Sequence, residues 1–192
     1  MAKPGTVLRA ARKSRHLTQE QLARRSGVDQ ARVSRSERDE ETPGFDTVDR
    51  LLAGAGHRLY AAPTRRDDAA TVAVRIRSSL KRGDRQDALR HLIQLNDDLV
   101  AEKGLTRGVL ALTAPESTGQ KVWDAAIAAL ASWRLNQERV PLPDWVAEPS
   151  RTLSRSRALQ VDPADPIPIG AEVPEEFRQH GVLAWGDTFA SV

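Results

Sequence analysis

Between Leu17 and Glu37 the chain reads LTQEQLARRSGVDQARVSRSE, and this stretch leaves few folds open. Thr18 is suited to cap a helix with its hydroxyl, and Gln21 stands three residues on, where a capping box places its second member. Leu22 and Ala23 follow as inward residues. Ser26-Gly27 stops the helix, because glycine accepts the left-handed conformation that closes a helix C-terminus. Val28 plugs the turn. Asp29 caps a second helix from Gln30 to Glu37, and Val33 continues the buried stripe. The spacing therefore predicts two short helices joined by a tight turn, crossing closely over the small Ala23.

The residues Leu17, Thr18, Gln19, Leu22, Ala23, Gly27, Val28, Gln30, Val33, Ser34 and Glu37 carry a resemblance to the helix-turn-helix of the Xre/Cro/phage-repressor family. The resemblance runs from about Leu8 to Leu59, under a third of the chain. It implies a lambda-repressor-like, DNA-binding N-terminal domain over residues 1–62. It also implies that Gln19 grips a phosphate, and that an arginine at the spacing of Arg12 pairs with Glu37, tying the first helix to the third. Spacing alone leaves Arg12 equally well a surface arginine. Three positions depart from the family pattern. Ser36 stands where Ile or Leu is usual, forgoing about 1–3 kcal/mol of apolar burial. Asp39 replaces the usual glycine at the helix end, and Glu41 sits where a basic residue is common. Acidic groups there repel phosphates, which predicts weaker DNA binding or a need for a dimer.

A helix-turn-helix lays its second helix in the major groove, with the first residues at base edges. Gln30 opens that helix, and its amide can pair with adenine N6 and N7. Arg35 can reach guanine O6 and N7, Ala31 a thymine methyl, and Ser34 offers a hydroxyl. Arg32, Arg38 and either Arg12 or Lys13 are the phosphate candidates. A single domain of this kind makes few contacts, so a homodimer on an inverted-repeat operator in double-stranded DNA is expected.

Charge agrees with a polyanion partner. Residues 1–66 hold 14 Lys and Arg against 8 Asp and Glu, whereas residues 67–192 are net −3. A basic head on a mildly acidic body suits a nucleic-acid module joined to a different second part. The chain has no Cys, which excludes disulfides, thiolate metal sites and thiol nucleophiles. The four histidines, His16, His57, His91 and His180, are scattered without metal spacing. Asp97-Asp98 points to two helix faces and makes a poor acid/base pair, and no catalytic constellation emerges. The expectation is a non-enzymatic chain with no metal or cofactor. With no leader-like start and no apolar run of about 20 residues, it is expected to be cytoplasmic and away from membranes.

Around the central pattern, Met1 to Gly5 reads as a frayed arm and Thr6 to Ser14 as the first helix. A fourth helix is expected from Phe45 to about Ala55, capped by Asp46 or Thr47, with Phe45, Val48, Leu51 and Leu52 inward. His57 to Tyr60 is either a last helical turn or an extended exit. The stretch from Ala61 to Asp68 marks the boundary, with Pro63 as breaker. A helical second domain over residues 67–192 follows, built from two or three helices: Ala69 to Arg82, Asp84 to Lys103, and Gly119 to Glu138. The last carries Val122, Trp123, Ala126, Ile127, Leu130 and Trp133 on one wide face. From about residue 140 prolines crowd into an irregular tail. It holds a short helix from Glu175 to His180 and, at Val182 to Trp185, a strand or an apolar plug.

The patches WDAAIAALASW, LPDWV and PEEFRQHGVL are similar to the C-terminal half of actinobacterial Xre-type proteins often encoded beside nucleotidyltransferase-like toxins. That resemblance implies an antitoxin that represses its own operon and neutralises a cognate toxin through its second half. Trp123, Trp133, Trp145 and Trp185 are the partner-binding candidates. The alternative is a stand-alone regulator whose second domain senses a ligand or only dimerises.

Overall fold

The computed structural model describes residues 3–169 and 172–190. The fold is mainly helical, and the chain divides into two compact units, Met1–Pro63 and Thr64–Val192. In the first, α1 (Pro4–Ser14), α2 (Gln19–Ser26), α3 (Gln30–Glu37) and α4 (Phe45–Gly54) close on a core containing Leu8, Leu22, Val33, Leu51 and Leu52. Local chemistry sets the boundaries. Thr18 Oγ1 accepts from Gln21 N at 3.1 Å while Gln21 Oε1 accepts from Thr18 N at 2.8 Å, a closed capping box. Gly27 takes a left-handed φ of 64°. Asp29 Oδ1 accepts from Ala31 N at 2.9 Å and Arg32 N at 3.2 Å, starting α3. Arg50 on α4 donates to the carbonyls of Ser26 and Gly27, pinning the turn.

Several expectations are corrected here. The first helix begins at Pro4 rather than Thr6, because proline pre-sets φ for a first helical position. Of the expected frayed arm, Met1 and Ala2 lie outside the described residues, and Gly5 is buried. Phe45 is 72% exposed and outside the core: it shares the face of Val48 and Leu52 but stands at the very start of α4, beyond the reach of the helices packed behind it. The cap of α4 is Gly44, with no side-chain bond from Asp46 or Thr47. His57 to Tyr60 leaves as non-helical chain.

In the second unit, α5 (Ala69–Lys81), α6 (Arg85–Ala101), α7 (Gly104–Leu112) and α8 (Lys121–Gln137) are followed by α9 (Glu175–Gln179). Asp68 and Asp84 cap α5 and α6 through Thr71 N and Asp87 N. Helix α7 adds to the three helices expected here; its two glycines, Gly104 and Gly108, are poor helix formers and mask it in the sequence. Helix α8 is buried almost all round: Ala125, Ala126, Ala128, Ala129 and Ala131 let its neighbours approach, and Ile127 and Leu130 fill the gaps.

The described tail is ordered by contacts with this core. Two-residue strands β1 (Arg157–Ala158) and β2 (Val182–Leu183) pair in parallel, Arg157 opposite Val182 and Ala158 opposite Leu183. Phe177 and Phe189 are buried against Trp133. Arg134 reaches Asn96 Oδ1 at 2.7 Å and Phe189 O at 2.9 Å, tying α8, α6 and the end of the chain together. Among the described residues, no helix is long and apolar enough to cross a membrane.

Candidate nucleic-acid interface

The second helix of the pair, α3, presents one face to the core and another outward. Val33, Ser36 and Glu37 are buried; Gln30, Ala31, Arg32, Arg35 and Arg38 are exposed and Ser34 is half-buried. The exposed set puts an amide, a methyl and guanidiniums on one short helix, the mixture that base edges and phosphates can engage.

Glu37 organises the inward side. Its Oε1 accepts from Arg12 Nε at 2.6 Å, and its Oε2 from Arg12 Nη2 at 2.8 Å and Gln19 Nε2 at 2.9 Å. Arg12 Nη1 also donates to Leu17 O at 2.7 Å, and Arg9 donates to the Glu37 carbonyl. Burial pushes the Glu37 carboxyl up, but the Arg12 and Gln19 hydrogen bonds outweigh it and hold the group below the ordinary carboxylate range. One buried carboxylate thus locks α1 and α2 onto α3.

This network engages two of the residues expected at the phosphates. Arg12 has all three guanidinium nitrogens engaged inside the unit and only 13% of its side chain exposed, the pairing with Glu37 that the resemblance implies. Gln19 is half-buried and its amide serves Glu37; a carboxamide NH2 carries a second N–H that an outside acceptor can use. Lys13 is exposed on α1.

The outward side is acidic at its border, and there the acids pair with the arginines of α3. Glu41 Oε1 accepts from Arg32 Nε at 2.8 Å, and Oε2 from Arg35 Nε at 3.3 Å. Arg38 forks onto Glu40 at 2.7 and 2.9 Å and donates to Ser34 Oγ at 2.8 Å. The Arg32 hydrogen bond holds the Glu41 carboxyl below its ordinary range, and Arg38 does the same for Glu40. Ser34 is therefore engaged by Arg38 rather than standing free.

A left-handed turn brings these acids back over α3. Asp39 has φ 58°, and its Oδ1 accepts from Gly5 N at 3.3 Å. Gly5 is required at that contact: a Cβ there would lie 2.5 Å from Ser36 O. Ser36 itself is fully buried, and its Oγ has no hydrogen-bond partner among the described residues.

Of the partner-binding candidates in the second unit, Trp123 and Trp145 are core residues, 1% and 4% exposed. Trp145 Nε1 donates to Ala111 O at 2.8 Å, which satisfies the indole inside the unit. Neither has a face left for a partner. Trp133 and Trp185 are half-buried. Trp133 borders an open groove of about 560 Å³ with Asn136, Glu172, Pro174, Glu175 and Glu176.

Capped helices at this spacing, with a glycine turn and a polar outer face on the second helix, define a DNA-binding helix-turn-helix unit. Residues 8–55 match the helix-turn-helix family model, a DNA-binding regulatory domain. No curated protein and no solved structure matches the chain.

Proposed function

We propose that this protein is a sequence-specific repressor that binds an inverted-repeat operator as a homodimer, reading bases with Gln30, Ala31, Ser34 and Arg35. Arg32, Arg38, Lys13 and the Gln19 amide serve the phosphates. The observation that carries this reading is the exposed edge of α3, rigidly held from behind by Glu37. Preorganised side chains lose less freedom on binding than loose ones.

The second unit holds a partner, and a cognate toxin fits the chemistry of the Trp133 groove. Three glutamates and a half-buried indole suit a basic protein surface. In this reading the protein is an antitoxin that represses its own operon. The test is to express the neighbouring gene alone and together with this chain: toxicity alone, abolished by co-expression and accompanied by a co-purifying complex, supports the antitoxin role. A harmless neighbour leaves the stand-alone regulator. That second reading has its own observation: α7 exposes Leu105 at 83% and Leu112 at 65%, an apolar stripe suited to self-association.

A further inference from the structure

We infer that Glu41 is a specificity-determining residue: it holds Arg32 and Arg35 by their Nε atoms so that the outer edges of both guanidiniums face the duplex. The inference rests on the DNA-binding reading above and adds a residue to it.

The two arginines stand three residues apart on α3, on neighbouring positions of one face. Alone, two long cationic side chains so placed repel each other and sample many rotamers. The Glu41 carboxylate lies between them, one oxygen to each Nε, at 2.8 and 3.3 Å. Among the described residues, these bonds use only the inner N–H of each guanidinium. The terminal Nη groups remain for outside acceptors: guanine O6 and N7 for Arg35, a phosphate for Arg32.

Glu41 is itself placed by backbone. The left-handed residue Asp39 reverses the chain after α3, Glu40 N donates to Arg35 O at 3.0 Å, and Asp39 is fastened to α1 through Gly5 N. Pro43 is buried just beyond. The carboxylate thus hangs from an anchored turn, not a loose loop. Its negative charge also offsets one of the two cations, which trims sequence-independent attraction to phosphates. Both effects raise the ratio of specific to non-specific binding.

The test uses the full-length chain and two variants, Glu41→Asp and Glu41→Gln. The probes are a duplex that the wild type selects from a random-sequence pool and a scrambled version of it. Glu41→Asp keeps the charge but is too short to bridge both arginines. It is expected to lower the selected-to-scrambled affinity ratio about tenfold with an unchanged salt slope. Glu41→Gln is expected to lower the ratio similarly, to bind the scrambled duplex more tightly, and to steepen the salt slope by about 0.9. Thermal melts should match the wild type for both variants. An unchanged ratio in both, or equal gains on both duplexes, overturns the positioning role and leaves the DNA-binding reading intact. A wild-type chain that selects no sequence removes that reading and this inference together.

Discussion

Arg12 on α1 grips Glu37 at the end of α3 with two hydrogen bonds, Nε to Oε1 at 2.6 Å and Nη2 to Oε2 at 2.8 Å. Glu37 is 2% exposed, so the pair sits inside the unit and holds α3 from its inner side. A buried pair of this kind contributes little against an apolar alternative, but breaking it strands the remaining charge.

Glu37→Gln should therefore cost about 3–5 kcal/mol in chemical denaturation of the N-terminal unit. The pH dependence has a definite sign. The folded carboxyl titrates below its ordinary value of 4.5. Its contribution is full above that value and is lost as pH falls through the lower, folded one. Wild-type stability should drop below about pH 4.5, and Glu37→Gln should lack that part of the drop. Superimposable pH profiles would deny Glu37 this role.

Gly5→Ala should destabilise the same unit by about 1–3 kcal/mol, since the new methyl would meet the Ser36 carbonyl, a backbone atom that cannot step aside. Gly44→Ser is the contrast. Nothing lies within 4 Å of a Cβ there, and serine supplies the missing cap of α4, so stability should rise by a few tenths of a kcal/mol. Melting both variants checks the pair.

Asp124 is buried and accepts from Ser117 Oγ at 2.6 Å, Thr118 N at 2.7 Å and Thr118 Oγ1 at 2.7 Å. Asp124→Ala leaves the Thr118 N–H buried without its acceptor. We expect a loss of about 1–3 kcal/mol in the second unit, measured by urea denaturation.

The proposed self-association has a direct check at α7. Replacing Leu105 and Leu112 together by Glu should turn a dimer into a monomer by light scattering without lowering the melting temperature, since both side chains are largely exposed. A dimer that survives places the interface elsewhere.

The N-terminal unit was legible because its signals are local. Thr18, Gln21, Gly27 and Asp29 act on backbone within four residues, and each does in the structure what its chemistry dictates. What was not legible depends on contacts outside the local pattern. Asp39 read as a lost glycine, yet it adopts the left-handed conformation and gains Gly5 N as a donor, 34 positions away. Glu41 read as a repulsive charge, because its pairing with Arg32 and Arg35 depends on that turn. Helix α7 was hidden by its glycines. Trp123 could not be told from a surface tryptophan, since α8 is buried almost all round, and Trp145 is decided by its bond to Ala111 O, 34 positions away. The tail read as irregular because prolines interrupt every period, and its order comes from Phe177, Phe189 and Arg134 across the fold.

The proposed function requires α3 to enter a DNA groove, and the most direct measurement is binding of the wild-type chain, Arg35→Ala and Arg32→Ala to the DNA upstream of the gene and to a scrambled duplex, from about 50 to 200 mM salt. The wild type should prefer the upstream duplex, with affinity falling linearly in log salt. Arg35→Ala should lose about 1–3 kcal/mol of discrimination at one base pair, whereas Arg32→Ala should weaken both duplexes alike and flatten the salt dependence. Equal wild-type affinity for the two duplexes, or indistinguishable behaviour of the two variants, would contradict it.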